Sequence, residues 1–352
     1  MNFYEEQSGF SEEKNPGTVY HTGNGFYNPY IEPLWKKEKR FLKNAGNGIG
    51  LVSLGYIAIS SFAGAIYQIL AQLIFPAANI HGSIYLTETV DWLFSTLIYL
   101  LSLAIPFGIY MLFLKMPLQV AFPLRKAKTD LTIGGLCLGL GVSVLAAYAT
   151  QYVQVGLQYF GIGITMPDYS IPVSIPGAVS YVISVVIAPA FIEEMVFHGI
   201  IMQSMRRFGD IFALVSSALI FGIFHLNLMQ MPYCFIMGLC IGYLVMRSGS
   251  LWVGILIHLF NNGVVVAFEF LSPYMSNKVW YIANSAYNLV CVILSVIAII
   301  VLLMKYKDMF RFEPSKSVLA PGKKALYFIT SPALLFALAA AFAITLEYVY
   351  LI

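Results

Sequence analysis

Apolar residues run along this chain in long unbroken blocks, without the half-polar periodicity of a helix lying on a soluble domain. A bilayer core needs about 20 apolar residues of helix. Runs of that order recur nine times, over about 49–76, 92–114, 132–158, 176–204, 211–228, 231–247, 251–271, 283–305 and 327–350. They predict an all-α, polytopic transmembrane bundle of about nine spans. The fifth and sixth runs are joined only by Leu228 to Pro232, which makes one of them a candidate for a partly re-entrant segment. About 45 polar and aromatic residues precede the first run, without the short apolar stretch of a secretory signal. The expected organisation is a disordered cytosolic tail over 1–45 and a transmembrane helical domain over 46–352.

Composition agrees with this class. Of 352 residues, 59% are hydrophobic and 11% charged, against about 25% charged in soluble domains. The net charge of +3, with no basic-aromatic groove, argues against nucleic acid as a partner. The expected surroundings are the lipid bilayer and a membrane-associated peptide or protein. Four cysteines, Cys137, Cys234, Cys240 and Cys291, fall in apolar runs without CxxC spacing and read as small buried hydrophobes.

Charge also orients the bundle. With the tail inside, 19 of the 20 basic residues fall on one side, and Lys278 is the exception. The positive-inside rule then places the N-terminus in the cytoplasm and the C-terminus outside. Acidic residues near the ends of runs, such as Glu88, Asp91, Asp130, Asp210, Glu269 and Glu347, read mostly as interfacial.

Glu193 and Glu194 do not. They lie inside an apolar run, and the next runs bring His225 and His258. Ionisable groups at the centre of a membrane helix cost roughly 2.5–3.5 kcal/mol each on insertion scales and are functional candidates by default. At 1.5 Å per residue, the carboxylates lie about 18–20 Å from Arg206, His225 roughly 22 Å from Asp210 and His258 about 10–12 Å from Ser250. A shared depth is what one site requires. His258 and Asn262, and likewise Glu194 and His198, share a helix face at i,i+4 spacing. Adjacent Glu193 and Glu194 diverge by about 100°, so one is expected to do chemistry while the other holds structure. A carboxylate and an imidazole can share and activate a water, and His with Asn can stabilise an oxyanion. Asn227, Asn261, Gln203 and Gln230 read as interhelical glue.

The pattern Glu193-Glu194-Met-Val-Phe-His198, Phe221-Gly-Ile-Phe-His225 and His258-Leu-Phe-Asn-Asn262 resembles the EExxxR, FxxxH and HxxxN signatures of the CPBP family. These intramembrane proteases include type II CAAX prenyl endopeptidases and proteins linked to bacteriocin processing or self-immunity. The resemblance covers about 175–270. It implies a bundle of about eight spans with a cavity open to the cytosol, and an intramembrane endopeptidase in which Glu193 and His225 activate water. His258 and Asn262 would form the oxyanion pocket, with Glu194, His198 and Phe221 in support. The family is described both as metalloproteases and as glutamate-dependent. Glu193, His225 and His258 are the candidate ligands for Zn²⁺ or another divalent metal, no HExxH helix is present, and no organic cofactor is expected. His198 stands where the family carries arginine, and it can pair with a carboxylate only as a protonated ring or a single donor. The substrate is expected to be a membrane-associated peptide, prenylated or of bacteriocin type, in a bacterial plasma membrane. The alternatives are a catalytically weakened relative that binds peptides or partners in self-immunity, and a transporter or proton relay.

Overall fold

A computed structural model describes residues 32–74, 84–165, 171–312, 315 and 317–352. Ten helices carry the architecture: α1 (Leu34–Ile74), α2 (Ile84–Phe113), α3 (Thr129–Tyr159), α4 (Ile175–Phe208), α5 (Asp210–Phe224), α6 (Met231–Ser248), α7 (Leu251–Leu271), α8 (Asn277–Lys305), α9 (Pro321–Ile329) and α10 (Pro332–Leu346). Among the described residues, seven are long and apolar enough to cross a membrane, or eight units if α9 and α10 count as one broken span. The chain is therefore a polytopic helical membrane protein.

The count of nine spans needs correcting at two places. The run at 211–228 yields only the 15 residues of α5, about 22 Å of helix against a hydrocarbon core of about 30 Å. The run at 327–350 breaks at Thr330–Ser331, where α9 and α10 meet at 73°. Pro332 begins the second piece at a position where its missing N–H has no helical partner to lose. That run also ends early, because Val349–Leu351 (β2) leaves the helix and pairs antiparallel with Ile162–Ile164 (β1).

The start of the helical domain lies earlier than 46. Helix α1 begins at Leu34, and Glu38 is fully buried in it. Its carboxylate accepts from the backbone N–H groups of Val318 (2.9 Å) and Leu319 (3.1 Å) and from the Ser317 hydroxyl. Lys324 Nζ meanwhile donates to the Phe208 carbonyl at 2.7 Å. The segment before α9 is thus locked to α1 and to the end of α4. Of the expected tail over 1–45, residues 1–31 lie outside the described residues.

Local chemistry sets the boundaries around α4 to α7. Ser174 caps α4 by accepting from Gly177 N at 3.0 Å, and Ser250 caps α7 by accepting from Trp252 N. Gly249, at φ +65, closes α6 in the left-handed conformation that glycine adopts without strain. Helices α3, α6 and α7 pack together, α8 lies against α3, α5 against α6, and α1 against α2 and α10. Their shared core includes Phe107, Phe197, Ile201, Met205, Phe221 and Ile257.

Candidate active site

Helix α4 is not wound uniformly. Two stretches, Ile183–Ile187 and Glu194–Ile201, take the wider i→i+5 winding, a departure that recurs at functional sites. In both, side chains reach backbone carbonyls of the wide turns, from other helices or, for Gln203, from further along α4. Asn262 Nδ2 donates to Val185 O (2.9 Å), Ser217 Oγ to Phe197 O (2.6 Å) and Gln203 Nε2 to His198 O (3.3 Å). The second wide stretch begins at Glu194, directly after Glu193.

The two carboxylates meet one imidazole. Glu194 Oε1 lies 2.9 Å from His258 Nδ1, while Glu193 Oε2 lies 3.8 Å from His258 Nε2. The divergence of adjacent helical side chains thus brings them to opposite nitrogens of the same ring. Glu193 Oε1 accepts a hydrogen bond from Tyr99 OH on α2. Glu194 and His198 are fully buried, and Glu193 and His258 are nearly so. His198 Nε2 stands 4.0 Å from Glu194 Oε2, beyond hydrogen-bond length. Neither ring nitrogen of His198 has a hydrogen-bond partner among the described residues, and the same holds for Glu193 Oε2 and Glu194 Oε2.

Glycines bring the backbone close to both supporting side chains. A Cβ on Gly254 would stand 2.6 Å from Glu194 Oε2, and one on Gly242 would stand 2.9 Å from His198 Nδ1. Phe221 separates the three histidines, its ring centroid 5.9 Å from that of His198, 5.0 Å from His225 and 6.2 Å from His258.

His225 is therefore near the carboxylate centre but outside its hydrogen-bond network. Its Nδ1 lies 2.9 Å from the carbonyl of Phe221, and Cys234 lines the cavity beside it. Asn262 is also engaged. It bonds Val185 and accepts from Asn261 Nδ2 at 3.2 Å, while Asn261 accepts from Tyr233 OH at 2.7 Å. Asn261 reads as structural here, in line with its expected role as glue. Tyr99, Tyr233 and Cys234 were not singled out in the sequence, which holds 23 tyrosines with no spacing that marks these two.

A cavity of about 740 Å³ joins Glu193, His225, His258, Asn262, Cys234 and Tyr99. It continues past Thr96 and Ser184 to Trp92, Tyr181, Val265 and Glu269. Those last residues mark the start of α2, the start of α4 and the end of α7. Arg206, Arg207, Arg247 and Lys305 belong to the opposite helix ends. The cavity thus runs away from the basic end of the bundle.

Among the described residues, no three His, Cys, Asp or Glu side chains are grouped to hold a metal ion. Glu193, His225 and His258 line one cavity but do not converge as a ligand set.

The fold and this centre define a polytopic membrane protein with a buried carboxylate–imidazole site. Residues 175–264 match the family described as "Rce1-like: Type II CAAX prenyl endopeptidase Rce1-like". The match spans all three motifs and is consistent with the resemblance to CPBP intramembrane proteases. No curated protein and no solved structure matches the chain.

Proposed function

We propose that this protein is an intramembrane endopeptidase that hydrolyses a peptide bond of a membrane-associated substrate by glutamate-activated water. The observation that carries the reading is His258 held by Glu194 on one nitrogen and faced by Glu193 on the other. Both groups line the cavity within the region that resembles a protease family.

In this reading Glu193 accepts a proton from the attacking water as its oxygen bonds to the peptide carbonyl carbon. Tyr99 holds the other carboxylate oxygen and so points Oε2 toward the cavity. Glu194 fixes the ring of His258, and His258 as an imidazolium donates from Nε2 to the developing oxyanion. Collapse of the tetrahedral intermediate breaks the C–N bond, and the proton held by Glu193 passes to the leaving amine. His225, across Phe221, lies on the substrate side of the cavity and binds or orients the peptide. Asn262 keeps its amide on Val185, acting on the shape of α4 in place of the oxyanion role that the resemblance implies. The substrate is prenylated or of bacteriocin type, and a bacterial plasma membrane is the proposed location, with the basic end cytosolic.

A second reading rests on the spent hydrogen bonds of His225 and Asn262 and on His198, whose ring nitrogens have no hydrogen-bond partner among the described residues. It is a peptide-binding relative without turnover, acting in self-immunity. The deciding experiment is mass spectrometry of a lipidated and transmembrane peptide library after incubation with proteoliposomes. Wild type, Glu193→Gln and His258→Ala are compared, each with and without a strong chelator. Products from wild type alone, retained with the chelator, support the reading. Loss of products with the chelator would move the chemistry to a metal, and an empty spectrum from wild type favours the binder.

A further inference from the structure

Glu269 lines the same cavity as Glu193 but has no part in the proposed chemistry. The cavity holds two acidic side chains, Glu193 and Glu269, and no lysine or arginine among the described residues that line it. Glu269 Oε2 accepts a 2.6 Å hydrogen bond from Tyr181 OH. Tyr181 is itself clamped edge-on between Trp92, with centroids 4.7 Å apart, and Phe270, at 5.8 Å. Among the described residues no donor reaches Glu269 Oε1, so one oxygen is positioned by the protein and the other remains available. The one basic residue of the sequence assigned to this end of the bundle, Lys278, is exposed at the start of α8 and does not line the cavity.

A carboxylate in a cavity whose described lining holds no lysine or arginine can take its counter-charge from a ligand. A carboxylate beside aromatic rings is also the chemistry that receives a cation, by charge and by the ring quadrupole. We propose that Glu269, Tyr181 and Trp92 form a specificity subsite for a positively charged side chain of the substrate peptide. The inference deepens the protease reading and rests on it for the word substrate.

Spacing makes the subsite specific. Glu269 lies eleven residues beyond His258 on α7, about 16 Å along the helix. An extended peptide covers that distance in roughly five residues. The selected substrate therefore carries Lys or Arg about five residues from the bond that is cut.

The test separates binding from turnover. Full-length protein is reconstituted in zwitterionic vesicles with Glu193→Gln to stop hydrolysis. Three fluorescent apolar peptides, identical except for a single Lys, Gln or Glu, are titrated against it. The Lys peptide is expected to bind about tenfold tighter than the Gln peptide, a single order of magnitude in Kd. Adding Glu269→Gln should abolish that preference. Glu269→Lys should transfer it to the Glu peptide, which also shows that the variant is folded. Equal binding of all three peptides, no binding of any, or a Lys preference that survives Glu269→Gln overturns the subsite. If the Lys preference holds but wild type cuts none of the peptides, the protease reading falls and the subsite stands.

Discussion

Glu194 Oε1 lies 2.9 Å from His258 Nδ1, a bond that joins α4 to α7 across 64 residues of sequence. It leaves His258 Nε2 facing Glu193 and the cavity. Because Glu194 is wholly buried and His258 nearly so, neither partner has water to replace the other. In the proposed reaction Glu194→Gln should lower turnover by about 10²-fold. The double variant Glu194→Gln/His258→Ala should be no slower than His258→Ala alone, since the two side chains act as one unit. Strictly additive losses in a proteoliposome cleavage assay would show that Glu194 acts elsewhere.

Gly254 tests the same bond from the backbone side. Its added Cβ would stand 2.6 Å from Glu194 Oε2 and 2.9 Å from Ile241 Cγ2. Gly254→Ala should therefore displace the carboxylate from His258, reducing cleavage by about tenfold or more and stability by about 1–3 kcal/mol. Thermal unfolding in detergent alongside the activity assay separates the two effects.

Tyr99 holds Glu193 through a single hydroxyl. Tyr99→Phe keeps the ring but removes the donor, leaving a buried carboxylate oxygen unsatisfied at a cost of about 1–3 kcal/mol. Activity should fall with little change in peptide affinity. A KM increase at constant turnover would place Tyr99 in substrate binding.

Glu38 is expected to matter for stability and not for chemistry. Glu38→Ala strands the backbone N–H groups of Val318 and Leu319, the second of them buried, and the Ser317 hydroxyl, and should destabilise by about 2–4 kcal/mol. Peptide affinity of the folded fraction should stay at the wild-type value. A wild-type melting temperature would show that the contact contributes nothing.

The direction of the cavity is directly measurable. Ser95 is exposed on α2 and lines the cavity toward the end away from Arg206. With the basic end cytosolic, Ser95→Cys in a cysteine-free background should react with a membrane-impermeant thiol reagent applied to intact cells from outside. Labelling only after the cytosolic face is opened would reverse the proposed orientation.

The carboxylates and histidines were legible in the sequence because charge stands out against hydrocarbon. Their common depth follows from counting residues along straight helices. Tyr99 and Cys234 were not legible, since tyrosine and cysteine are ordinary occupants of apolar runs and only the fold brings them to Glu193 and His225. The wide turns of α4 were hidden for a related reason, because winding depends on which side chains reach Val185 and Phe197 from other helices. The pairing of β1 with β2 was concealed by hydropathy, which scores Val349–Leu351 as a continuation of the preceding helix. Glu269, read as an interfacial charge, turned out to share a cavity with Glu193.

Helix α5 stops short. Directly after it, Leu226 takes φ +50, and Asn227 turns the chain by donating to Thr165 O and accepting from Met229 N. Non-helical backbone at this depth survives only where protein buries it or water wets it, and Met229 and Gln230 lie on the cavity wall beside His225. The early end of α5 thus sets a hydrogen-bonded turn, with its backbone polar groups, against the cavity wall next to His225.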